Sequence, residues 1–145
     1  MEYKKINDAI YLRIDKNEKI TQTIKTVCAK EMICGGHFQG IGACDTATLS
    51  TYLPDKNDFT DHTISGMIEM ISLMGNISVD NNNEPVLHSH AVFSYLNSNG
   101  EVVVTAGHLK EANISYTGEI VITGVSDMIS RKIDSKTGIE VWKLS

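Results

Sequence analysis

The sequence predicts an α+β fold, a mainly antiparallel β-sheet with one principal helix, and three observations point to it. Only one stretch of the 145 residues, Glu18 to Met32, repeats apolar residues at helical spacing, at 20, 24, 27, 28 and 32. The rest is a succession of segments rich in Val, Ile, Thr and aromatic residues, separated by Asn, Asp, Gly and Ser clusters. Hairpin-type connections at Asp80 to Asn83, Ser98-Asn99-Gly100 and Ser135 to Gly138 imply antiparallel neighbours. No βαβα alternation suggests a parallel sheet.

In chain order, Ala9 to Ile14 reads as a first strand. The helix follows, with Asp15 or Asn17 as its cap and Gly35-Gly36 as its stop signal. Strands are then expected at about 37–44, 47–53, 66–79, 86–96, 101–109, 114–123, 127–133 and 139–144. The stretches Glu119 to Ile122 and Ile64 to Ile77 are apolar on both parities, which predicts burial on both faces, with a subunit interface as the second cover.

Composition bounds the function classes. A chain of this length matches one domain, residues 1–145, and can bury roughly 68–70% of its unfolded surface without staples. Hydrophobic residues at 41% and charged residues at 21% exclude a disordered or fibrous chain. The formal charge of −5 repels phosphate backbones. The only adjacent basic pairs, Lys4-Lys5 and Arg131-Lys132, read as solvated surface, too sparse to neutralise many phosphates.

Cys28, Cys34 and Cys44 are odd in number and lack CxxC spacing, so they read as reduced thiols rather than a disulfide framework or zinc knuckle. The N-terminus lacks an apolar signal core, and no stretch approaches the ~18 apolar residues of a membrane span. A cytoplasmic protein without membrane contact is expected.

The candidate chemistry lies in histidine. Residues two apart on a strand share a face and sit about 6.6 Å apart, so His88 and His90 can chelate one ion through metal–nitrogen bonds of about 2.0–2.1 Å. A third ligand, His108, depends on hairpin register. If Ser98-Asn99-Gly100 is a three-residue loop with Gly100 left-handed, His90 lies across from His108, with Cβ atoms about 4.5–5.5 Å apart. A two-residue Asn99-Gly100 turn would break the cluster. In the favourable register Val86, Val92, Val102, Val104 and Ala106 share the histidine face, and Leu87, Ala91, Phe93 and Tyr95 take the other.

Three imidazoles without a carboxylate repel one another when protonated, and a divalent ion removes that repulsion by binding them neutral. Zinc is the first choice; nickel, copper and iron also accept imidazole. The bland alternative is three separate histidines that hydrogen-bond or face solvent. Glu111 is a candidate fourth ligand or outer partner, His62 is expected to face solvent, and His37 is left unassigned.

Gly35-Gly36-His37-Phe38-Gln39-Gly40-Ile41-Gly42 lacks G-x-G-x-x-G order and no helix follows it, so its glycines read as close backbone approaches in a strand rather than a phosphate loop. No serine or cysteine has the context of a nucleophile triad.

Four segments occur in a characteristic order. They are Phe38 to Ala43 (FQGIGA), Glu69 to Ile77 (EMISLMGNI), Leu87 to His90 (LHSH) and Gly107 to Ile114 (GHLKEANI). Together they resemble the plant and prokaryote conserved (PPC) domain over nearly the whole chain. The resemblance implies a mainly antiparallel α/β fold, a homotrimer, and a metal held by the histidines His88, His90 and His108. It also implies association with protein partners and, by analogy with plant members that carry AT-hooks, a DNA-binding role. This sequence contains no Arg-Gly-Arg-Pro hook.

Three functions follow as expectations. The first is a trimeric, metal-binding interaction or regulatory module. The second is a DNA-binding regulator, opposed by a trimer charge three times the chain's −5. The third is a metal-dependent enzyme whose His₃ site keeps an open position, where bound water ionises near pH ~7.

Overall fold

A computed structural model describes residues 1–145. In chain order the elements are β1 (Glu2–Ile6), β2 (Ala9–Asp15), α1 (Ile20–Lys30), β3 (Gly36–Leu53), β4 (Asp58–Val79), β5 (Pro85–Leu96), β6 (Val102–Gly124), β7 (Ser130–Ile133) and β8 (Glu140–Lys143), with a 3-10 turn at Pro54–Lys56. The α+β fold class of the sequence is observed.

All strands belong to one sheet, and every pairing is antiparallel except a parallel contact of Val79 with Ser130. The four long strands close a circuit: β6 pairs β3, β3 pairs β4, β4 pairs β5, and β5 returns to β6. β1 and β2 extend from the far end of β6, and the β7–β8 hairpin attaches at the end of β4.

One core of 22 buried residues holds this together. Helix α1 contributes Ile20, Ile24, Val27 and Cys28, the period the sequence displayed, and packs on β5 and β6. Each large side chain so buried contributes about 1.5–3 kcal/mol.

The strands are longer than the sequence suggests because bulges reset their parity. The segments 47–53 and 37–44 are one strand, β3, with irregularities between Gly40 and Gly42 and between Cys44 and Thr46. Likewise 101–109 and 114–123 are continuous in β6, where buried Leu109 is followed by buried Ala112 and Ile114 across the shift. An extra residue turns side chains to the other face, so a period-two pattern read across it breaks into two. Strand β1, EYKKI, is almost wholly exposed and carries no such pattern.

Both ends of α1 differ from expectation. Neither Asp15 nor Asn17 caps it, since Lys19 occupies the N-cap without a side-chain bond. Its free amides at Thr21 and Gln22 instead donate to the two carboxylate oxygens of Glu111, at 2.8 and 3.3 Å. The helix stops before Gly35 because Met32 turns left-handed at φ 55°. Gly35 sits just before β3 and Gly36, Gly40 and Gly42 lie at its start; a Cβ on Gly40 would meet Glu119 O at 2.4 Å and one on Gly35 would meet Asp127 O at 2.8 Å, so close backbone approach is their role.

Candidate metal centre

The β5–β6 turn sets the site. Asn97 N donates to Glu101 O at 2.9 Å, Gly100 N to Asn97 O at 3.0 Å, and Gly100 takes φ 76°. The Asn97 side chain holds the loop by accepting from the amides of Asn99 and Glu101, at 2.9 and 3.0 Å. This is the three-residue loop, and it pairs Leu96 with Val102 and His90 with His108.

The three rings converge. Centroids lie 4.2 Å apart for His90 and His108, 5.2 Å for His88 and His108, and 5.4 Å for His88 and His90. One donor nitrogen from each lies within 4.8 Å of the others. Tetrahedral ligation at ~2.0–2.1 Å brings such nitrogens to about 3.3 Å, within reach of small ring rotations.

Protonation favours the same use. Partial withdrawal from water lowers the His88 pKa, and the charges of His90 and Arg131 lower it further. The His108 pKa is lowered by desolvation first, then by His90 and His88. His88 and His108 are therefore biased toward the neutral imidazole, the form that binds metal.

The walls of the site differ. Against His108, Phe59 packs edge to face at 5.2 Å and Tyr52 packs on Phe59 at the same distance. Across β3, Ser50 is the strand partner of both His108 and Asp61. Its hydroxyl donates to the Asp61 carboxylate, which also accepts from Lys110 Nζ at 2.5 Å. Lys110 first and Ser50 second hold the Asp61 carboxyl below its usual range.

On the His88 side, Arg131 of β7 reaches Ser78 Oγ at 3.4 Å and Glu140 O at 2.8 Å. Its side chain is only 11% exposed, so this half of the Arg131-Lys132 pair is packed rather than solvated surface. The packing was not visible in sequence because it depends on the chain returning along the end of β4.

The other candidates lie elsewhere. Glu111 is committed to the amides of α1 and is not among the clustered donors. His37 is exposed on β3 with Asn76 between it and His88, so two strand spacings, about 10 Å, separate the two histidines. His62 pairs with Leu49 and is half-buried rather than fully in solvent. Burial pushes the thiols of Cys28 and Cys44 up to about 12, and neither joins the cluster.

The donor set fits a borderline divalent ion: three imidazole nitrogens, with no thiolate and no carboxylate among the clustered donors.

Solved structures match the whole fold. A protein from Bacteroides thetaiotaomicron described as a candidate DNA-binding protein is 29% identical with a TM-score of 0.86, over 98% of this chain and 96% of its own. A metal-containing protein from Archaeoglobus fulgidus is 25% identical with a TM-score of 0.82, over 98% and 96%. A plant- and prokaryote-conserved protein from Pyrococcus horikoshii is 28% identical with a TM-score of 0.79, over 98% and 93%. Among curated proteins, none matches the chain. The family model of the Plants and Prokaryotes Conserved (PCC) domain matches residues 1–126. With the LHSH and GHLKE segments falling inside that match, the chain belongs to the Plants and Prokaryotes Conserved domain family.

Proposed function

We propose that this chain is a divalent-metal-binding interaction or regulatory module, holding one zinc ion per chain on His88, His90 and His108 and working as a cytoplasmic homotrimer. The convergence of three imidazole nitrogens within 4.8 Å of one another carries the reading. The similar Archaeoglobus protein is described as metal-containing, which supports it. No helix is long and apolar enough to cross a membrane.

The trimer is supported by the outer face of the sheet. Tyr11, Ile41, Ile71 and Met74 are more than half exposed and line an open cleft of about 820 Å³. Such contiguous apolar surface is the mark of an association face. Met74 is the strand partner of His90, so this face and the triad adjoin.

A second reading, a DNA-binding regulator, is favoured by the description of the Bacteroides protein. The net charge of −5, and a basic pair of which Arg131 is packed beside Glu140, oppose it. The enzyme reading keeps its open coordination position but gains no carboxylate in the cluster to act as base.

Elemental analysis of purified protein tests the metal. About one divalent ion per chain is expected; a metal-free sample that also takes up no zinc at micromolar concentration sinks the site.

A further inference from the structure

We propose that the metal-loaded triad takes a small oxyanion, a carboxylate or phosphate group held between the ion and the guanidinium of Arg131. The inference rests on the metal-binding reading and adds the chemical class of ligand to it.

Three neutral imidazoles leave the full charge of a divalent ion uncompensated, and the cluster contains no carboxylate. The fourth coordination position therefore favours an anionic group. The chain supplies a second positive group beside it. Arg131 rests on Ser78, two residues along β4 from Asn76, and Asn76 is the strand partner of His88. Residues 76 and 78 share one face, so Ser78, which holds the guanidinium, lies on the face that carries the triad, one diagonal step of about 7–8 Å from His88.

Arg131 has donors to spare. Its two terminal nitrogens each make one hydrogen bond, and its buried Nε has no acceptor in hydrogen-bond geometry. The Glu140 carboxylate stands 3.4 Å from Nε as an ion pair and is 59% exposed, free to turn toward water. A guanidinium packed next to a divalent ion raises the energy of both charges, and an anion between them offsets that repulsion. The planar fork suits two oxygens of one carboxylate or phosphate, which an ammonium cannot match. Phe59 makes the opposite wall, beside His108, apolar. The charged end of the ligand is thereby directed toward His88 and Arg131.

The test uses the full chain loaded with Co²⁺, whose visible spectrum reports coordination, titrated separately with acetate and inorganic phosphate. Metal affinity is first measured without either anion. The expected result is a saturable spectral change in the wild type, weakened about tenfold or more in R131Q, with metal affinity in the absence of anion unchanged or raised. R131K, which keeps the charge and loses the fork, is expected to fall between them. E140Q is expected to bind the anion as tightly as wild type or more tightly. The anion with the lower apparent Kd distinguishes a carboxylate from a phosphate ligand.

Equal anion binding in wild type and R131Q, or no spectral change with either anion, overturns the proposal and leaves the metal site standing. Weaker metal binding in E140Q means that Glu140 is itself the anion, which also overturns it. Failure to bind Co²⁺ or Zn²⁺ at all removes both readings. Should R131Q not fold, R131K and the surface variant E140Q carry the comparison.

Discussion

His90 and His108 face each other across the β5–β6 hairpin with ring centroids 4.2 Å apart, and a loop eight residues from either histidine sets that meeting. The loop does not act alone. β5 is also locked to β4, and β6 meets β3 at the Ser50–His108 pair. Gly100→Ala places a Cβ at φ 76° with open space around it, so the cost is backbone strain of about 1 kcal/mol. Chemical denaturation is expected to show that loss, with metal affinity unchanged, because the flanking strands hold the register.

Glu111 separates helix capping from metal binding. Removing its carboxylate in E111A leaves the Thr21 and Gln22 amides without their acceptor, at a cost of about 1 kcal/mol. The melting temperature is expected to fall while zinc stoichiometry stays the same. Loss of zinc in E111A with the fold intact would return Glu111 to the ligand set.

How much of this was legible in the sequence depends on the range of the interaction involved. The H-x-H spacing and a three-residue loop ending in Gly100 are local, and they were enough to place His90 opposite His108. Glu111 looked like a ligand because it stands three residues after His108. The bulge beside Lys110 and the arrival of α1, about ninety positions away in sequence, redirect it. Arg131 looked like surface for the same reason: its partners Ser78 and Glu140 lie across a strand junction that no local pattern encodes. The strand count failed where bulges at Gly40–Gly42 and Cys44–Thr46 reversed the parity within single strands.

Acid is expected to weaken the site in a defined direction. The His88 and His108 pKa values are lowered from 6.5 in the folded chain, so the unfolded chain binds their protons first. Their contribution to stability is present above pH ~6.5 and is lost as pH falls through the lowered values. Metal affinity follows, because three imidazoles must shed protons to bind. Zinc titrations between pH 8 and 5 are expected to show near-constant affinity at the alkaline end and a steep fall below about 6. An affinity independent of pH would mean that imidazole is not the ligand.

The trimer is expected to depend on the exposed apolar face. Ile71 is 52% exposed in the isolated chain, so Ile71→Glu places a charge where a neighbouring copy would bury it without disturbing the chain's own core. Light scattering is expected to give three chains for the wild type and a lower mass for I71E, with circular dichroism unchanged. A monomer mass for the wild type at micromolar concentration contradicts the assembly.

No appreciable duplex DNA binding is expected near physiological salt. A protein with six to ten phosphate contacts loses roughly 10³–10⁵ in affinity between 50 and 200 mM salt, and this chain offers few clustered cations to begin that count. Sub-micromolar, salt-sensitive binding in an anisotropy titration at ~150 mM salt would overturn this expectation.

Whether His88, His90 and His108 hold one ion together is read by X-ray absorption at the zinc edge of the loaded protein. The expected spectrum has an inner shell of three imidazole nitrogens at about 2.0–2.1 Å with their outer-ring scattering, and this pattern is lost in H90A. A shell containing sulfur near ~2.3 Å, or oxygen alone, or a spectrum unchanged in H90A, would contradict it.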